Sequence, residues 1–197
     1  KHVLIFGGSF DPPHVGHERL LSAALRRLRP AAAYVVAAWR SPLKRGHAAG
    51  PGQRLALARA LVAGLPADLR PGVRVDAFEL DRRRTTYTFE LARALRNRHP
   101  DARLWILAGS DAMATLPRWR RAGELAESCG WVVGKRPSFV APSRCALGSK
   151  DPSGGAWRHE VPEGRSPPAP RRVLRLPGTF PDISSTHTAH LHPTRKA

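Results

Sequence analysis

Cysteine is nearly absent. The 197-residue chain has two, Cys129 and Cys145, which lack the paired spacing of a metal or redox site and read as thiols of a reducing compartment. Long apolar runs are missing as well. The longest, Ala31 to Trp39, is stopped by Arg40, well short of the roughly 20 residues a membrane-spanning helix needs, so no membrane partner is expected. The stretch Lys1 to Phe6 leads straight into a glycine-rich motif and leaves no room there for a signal peptide's apolar region; the expectation is a soluble, cytoplasmic protein. Acidic residues are also few, 15 against 33 Lys and Arg, for a formal charge of +18. Only five of the basic residues are Lys, and the chain is rich in Ala, Pro and Gly, as a GC-rich coding sequence produces. The charge therefore reads as a solvated Arg-rich surface, not as a nucleic-acid interface, while its field would still attract anionic small substrates.

What is present is an alternation. Short apolar runs at Val3–Phe6, Ala33–Ala38, Val73–Phe78 and Leu104–Ala108 are separated by helix-period segments at His17–Arg29, Gln53–Gly64 and Thr88–Arg98. In the first helical segment Leu20, Leu21, Ala24, Leu25 and Leu28 share one face and arginines occupy the rest. A further helix around Arg118–Glu127, a strand at Trp131–Gly134 and a last strand at Arg172–Leu176 complete the pattern. Strand–helix alternation predicts an α/β protein with a Rossmann-like, doubly wound parallel sheet and ligand sites at the strands' carboxyl ends. One domain over residues 1–197 is expected, with a long Pro-, Gly- and Ser-rich loop at 137–170 and an atypical tail at 187–197. There is no internal repeat, and self-association is left open.

The densest chemical signal is Phe6-Gly7-Gly8-Ser9-Phe10-Asp11-Pro12-Pro13-His14-Val15-Gly16-His17, between a strand and an amphipathic helix. Unpaired N–H groups and the helix dipole make the start of a helix an anion site, and glycines let a phosphate approach the main chain. His14 and His17, three apart, fall on one side of the first turn, where two imidazoles can donate to a triphosphate and meet the charge that develops on leaving pyrophosphate. The string resembles the GGTFDPxHxGH signature of the nicotinate-nucleotide adenylyltransferases, within the nucleotidyltransferases that share an HxGH motif.

The resemblance runs in order over residues 1–186, and it implies the remaining roles. Gly8, Ser9 and Phe10 would line the ATP site. In Ser41-Pro42-Leu43-Lys44 the lysine matches one that contacts ATP phosphates, although Leu43 departs from the family's histidine, so the resemblance makes His14, His17 and Lys44 the catalytic set. Gly109 and Asp111, in Leu107-Ala108-Gly109-Ser110-Asp111, would face the nucleotide, the aspartate toward ribose hydroxyls. Arg136 falls near the adenine, and Ser184, Ser185 and Thr186 on the triphosphate. For the acceptor the resemblance implies Thr86, Tyr87 and Thr88, at a helix start that would present amides to the nicotinate carboxylate, with Trp119 stacking on the ring and Arg120 offering its amide. Free amides and the dipole favour a carboxylate over a neutral carboxamide there.

The implied reaction transfers AMP from ATP to nicotinate mononucleotide, with Mg²⁺ brought in on ATP. The alternatives are an adenylyltransferase for another phosphorylated acceptor, nicotinamide mononucleotide or phosphopantetheine, and a catalytically weak nucleotide-binding homologue. One departure bears on the last. After Thr186 the family continues with any residue, Ile and a phosphate-binding Arg, whereas this chain has His187, Thr188 and Ala189. A frameshift after Thr186 would produce such a tail.

Overall fold

The computed structural model describes residues 1–40, 46–135 and 170–180. Six strands form one sheet: β1 (His2–Gly8), β2 (Ala32–Ala37), β3 (Val73–Asp76), β4 (Arg103–Gly109), β5 (Gly130–Lys135) and β6 (Val173–Thr179). Their order is β3-β2-β1-β4-β5-β6, and every pairing is parallel. The expected doubly wound parallel sheet is therefore the observed one.

The helices are α1 (Val15–Leu28), α2 (Pro51–Ala63), α3 (Phe78–Arg82), α4 (Thr88–Arg98), α5 (Ser110–Ala114) and α6 (Ala122–Ser128), with a 3₁₀ turn at Leu116–Arg118. Side chains alternate across a strand, so the central strands feed two cores. Val3, Ile5, Ile106, Trp131 and Val133 pack with Leu91 and Leu95 of α4 and Leu125 of α6. On the other face Leu4, Phe6, Val35, Leu107 and Val132 pack with Leu20, Leu21 and Ala24 of α1 and Ala58 and Leu61 of α2. Each buried leucine contributes about 2 kcal/mol by leaving water.

α1 carries its own boundary signals. His14 is its N-cap, in extended conformation, and Arg29 closes it in the left-handed region with its N–H on the Leu25 carbonyl. Arg26 and Arg27 in the last turn match the negative end of the dipole. Where α1 crosses the sheet, Gly134 of β5 permits contact. A Cβ there would lie 2.8 Å from Phe180 Cδ2, and closer still to Leu20 Cδ1.

Several boundaries differ from the sequence reading. The helix expected around Arg118–Glu127 is split into the 3₁₀ turn and α6, and α3 and α5 were not foreseen. The last strand runs on to Thr179 through Pro177 and Gly178. A proline fits because, among the described residues, β6 is an edge strand with one side unpaired, and Gly178 takes a φ of 80° beside an irregularity in the pairing with β5. The loop expected at 137–170, apart from its final Pro170, and the tail at 187–197 lie outside the described residues. No helix among the described residues is long and apolar enough to cross a membrane.

Candidate active site

The sheet opens at its centre. β1 pairs with β4 only as far as Ile5↔Ile106, although β1 continues beside β2 to Gly8↔Ala37 and β4 beside β5 to Gly109↔Gly134. The two central strands thus part over their last three residues, and their carboxyl ends bound a crevice. This is the point where the winding reverses, β1 leading outward to β2 and β3 and β4 leading to β5 and β6, and it is where open α/β sheets bind ligands.

The turn after β1 supplies one wall. Phe10 has φ 48°, which directs its ring inward, 1 % exposed, against Phe6 and His17. A Cβ on Gly8 would meet that ring at 3.0 Å, so Gly8 permits the turn to close. The Phe10 side chain is therefore a core group, while Gly8 and Ser9 beside it are half-buried.

At the start of α1 the His14 and His17 rings lie with centroids 3.8 Å apart. The backbone N–H of His14 donates to Nδ1 of His17 at 3.2 Å. A ring nitrogen that accepts carries no proton, so Nε2 is the N–H donor of neutral His17. The pair thus combines a fixed tautomer with the positive end of a 14-residue helix.

The other wall begins at β4. Gly109 is the N-cap of α5, and Asp111, exposed, sits in its first turn. Asp111 is therefore not itself the cap, the structural role its position after a strand would otherwise suggest.

The segment expected to seat an acceptor is assembled from two places. Tyr87 is the N-cap of α4 and gives its N–H to Glu90 at 2.9 Å, leaving the amides of Thr88 and Phe89 at the open end of the helix. Arg84, 2.6 Å from Glu90, holds that carboxyl below its ordinary range, so it caps as an anion. Arg120 places its guanidinium carbon 5.0 Å from the centroid of the Tyr87 ring. Trp119 is half-buried, its indole N–H donating to Thr115 at 3.0 Å and its ring edge-on to Trp131 at 5.8 Å. Thr86 behaves differently. It is 4 % exposed and its hydroxyl donates to the Arg84 carbonyl at 3.3 Å, so it braces the turn and does not offer its side chain to a ligand. Lys44, Arg136, Ser184, Ser185 and Thr186 lie outside the described residues.

Sequence reasoning missed two buried polar groups at the ends of the β2–α2 connection. Arg54 of α2 is 1 % exposed and Glu79 of α3 is 9 % exposed. Arg54 Nη1 donates to the Ala38 carbonyl at 2.6 Å, Nη2 to Trp39 at 2.8 Å and Nε to Ala49 at 3.1 Å. Burial raises Glu79 to about 7, against the opposing effects of the Trp39 amide it accepts from and of nearby Arg54. A signal existed for Arg54: Arg54, Ala58, Leu61 and Leu65 follow the 3.6-residue period and are all buried.

A parallel sheet opened at its switch point, with paired imidazoles at the adjoining helix start, is a nucleotidyltransferase arrangement, and residues 5–192 match the cytidylyltransferase-like family. The probable nicotinate-nucleotide adenylyltransferase of Laribacter hongkongensis is 38% identical over 187 residues, covering 92% of this chain and 79% of that protein. The corresponding protein of Gemmatimonas aurantiaca is 35% identical over 150 residues, covering 76% and 69%. Plasmodium falciparum nicotinic acid mononucleotide adenylyltransferase, solved in complex with NaAD, shares the fold, with a TM-score of 0.73 over 100% of this chain and 86% of that one at 16% sequence identity. The chain belongs to the nicotinate-nucleotide adenylyltransferase family.

Proposed function

We propose that the chain transfers AMP from ATP to nicotinate mononucleotide, releasing pyrophosphate and forming deamido-NAD. Family membership supports the reading, and the observation that carries it is the opened β1–β4 ladder with the histidine pair at its edge. An ionised phosphate oxygen of the acceptor attacks the α-phosphorus of ATP, and the bond from that phosphorus to the bridging oxygen breaks. The electron pair leaves on pyrophosphate. The protein needs no nucleophile of its own, so positioning and charge stabilisation remain its tasks.

In this reading His17 donates through Nε2 to the phosphate chain, and His14 and the first amides of α1 add to the stabilisation of the departing charge. The turn Gly8–Phe10 offers its backbone to ATP, and Gly109 and Asp111 face the nucleoside. Lys44, Arg136 and Ser184–Thr186 would add phosphate and adenine contacts, as the family resemblance implies. Thr88 with its neighbouring amide receives the acceptor's carboxylate, Trp119 its ring, and Arg120 adds positive charge nearby.

The donors at the turn are imidazole and amide N–H groups, which suit phosphate oxygens and not a hard cation, and among the described residues no three His, Cys, Asp or Glu side chains cluster as a metal site. Mg²⁺ is accordingly proposed to enter on the triphosphate, where it would neutralise phosphate charge. The test is a panel of phosphorylated acceptors incubated with ATP and Mg²⁺, with pyrophosphate as readout. Release that requires nicotinate mononucleotide supports the reading. Release with phosphopantetheine alone, or with no acceptor, overturns it.

A further inference from the structure

A buried arginine is costly unless its donors are met, and a well-packed apolar side chain at the same place is often at least as stable. Position 54 lies on the core face of α2, above Ala58 and Leu61, where a methionine or leucine would fill the space. Arg54 instead spends its donors on three carbonyls, Ala38 and Trp39 at the end of β2 and Ala49 just before α2. It therefore clamps both ends of the β2–α2 connection.

The same connection is held from the histidine turn. Asp11, three residues before His14, accepts from the N–H of Ala48 at 2.7 Å and from that of Ala49 at 2.9 Å, and its carboxylate lies 3.4 Å from His47 Nδ1. Both side chains of that last pair are under a tenth exposed. Ala49 is consequently gripped on both sides, its N–H by Asp11 and its carbonyl by Arg54. Glu79 fixes the other end through the Trp39 N–H at 3.0 Å. The common effect of these bonds is to tie the turn that carries His14 and His17 to the β2–α2 connection.

We infer that Arg54 is a positioning residue for adenylyl transfer, acting through Ala49 and Asp11 to fix the placement of the His14–His17 turn at the crevice. The inference rests on the reaction proposed above. Without Arg54's grip Ala49 loses one of its two anchors, Asp11 loses a fixed partner, and the turn that carries the imidazoles loses part of its support.

Arg54→Lys in the full chain is the test, since one ammonium cannot span both ends of the connection. The expected result is a fall in kcat of about tenfold or more, KM for the acceptor changed by less than about threefold, and a thermal midpoint within a few degrees of the parent, the pattern of lost transition-state placement. Asp11→Asn should also lower kcat, and the double variant should lose little beyond the larger single loss, because coupled residues are non-additive. Amide exchange supplies a readout independent of turnover, with faster exchange expected at residues 47–49 and 14–17 in Arg54→Lys. An unchanged kcat with unchanged exchange overturns the inference, as do fully additive losses or a kcat that recovers completely once temperature is lowered to restore the fold. Inactivity of the parent with every acceptor would sink the proposed reaction alone, for the exchange result would still decide the role of Arg54. Should Arg54→Lys not fold, exchange at residues 14–17 in Asp11→Asn decides the matter, and unaltered exchange there overturns it.

Discussion

His17 accepts, through Nδ1, the backbone N–H of His14 at 3.2 Å, while the two rings lie 3.8 Å apart. The bond makes Nδ1 of His17 an acceptor and so leaves Nε2 to carry the proton of the neutral ring. His17→Ala removes that donor and is expected to lower kcat by on the order of 100-fold, the range seen when one preorganised donor to developing charge is lost. Far-UV circular dichroism should be unchanged. Near-parental pyrophosphate release would take His17 out of the mechanism.

In the proposed reaction, recognition of the acceptor's carboxylate would rest on the open end of α4 and on Arg120, whose guanidinium lies over Tyr87. Nicotinate mononucleotide should exceed nicotinamide mononucleotide in kcat/KM by at least about tenfold, since free amides and a cation favour an ion over a neutral amide. Arg120→Ala should narrow that ratio. Equal use of the two acceptors by the parent would remove Thr88 and Arg120 from carboxylate recognition.

Glu79 offers a pH test of the buried polar groups that hold the β2–α2 connection. Burial raises it to about 7 from an ordinary 4.5, so between those values the folded chain holds a proton that the unfolded chain has released. Its contribution to stability is fully present below about pH 4.5 and is lost as pH rises through about 7, by on the order of 3 kcal/mol. Glu79→Gln keeps an acceptor for the Trp39 N–H and cannot ionise. The stability difference between variant and parent, from urea titrations at pH 5 and pH 8, should shift in favour of the variant at the higher pH. A difference that stays flat would mean that Glu79 ionises at its ordinary value.

Gly134→Ala should destabilise the fold by about 1–3 kcal/mol through overpacking, because the added methyl meets Leu20 and Phe180. Leu20→Ala in the same chain should make the change less costly, by opening the space that the methyl needs. Thermal denaturation of the four proteins of this cycle decides it, and independent costs would place the strain elsewhere.

Much of this was legible in the chain. Val3–Phe6, Ala33–Ala38 and Leu104–Ala108 are apolar on both faces, and both faces of the sheet are covered. Leu20, Leu21, Ala24 and Leu25 repeat at helical spacing, and all four are buried. The histidine turn was readable because its glycines and histidines stand in a fixed local order. The five-residue helices α3 and α5 were not, since so short a helix shows hardly more than one period. Phe10 and Thr86 read as ligand groups from their place in a motif, but backbone conformation at Phe10 and burial at Thr86 turn their side chains inward. Arg54 escaped notice for a different reason. Its spacing with Ala58 and Leu61 was a signal of burial, but the residue type is usually exposed and outweighs it, and the carbonyls it binds belong to residues whose identity is immaterial.

The pairing of β1 with β4 joins His2–Ile5 to Arg103–Ile106, segments about a hundred residues apart, and the crevice lies where that pairing stops. A chain emerging from the ribosome has made its histidine turn long before the opposite wall exists. The wall arrives only when β4 docks on β1, a contact of large sequence separation and hence a slow one to form. If the nucleotide lies between the two walls as proposed, the nascent protein would display half a site that cannot hold it, and competence for ATP would appear only once β4 has docked. Nucleotide binding should accordingly serve as a reporter of finished folding, late in refolding kinetics and silent in fragments that end before β4.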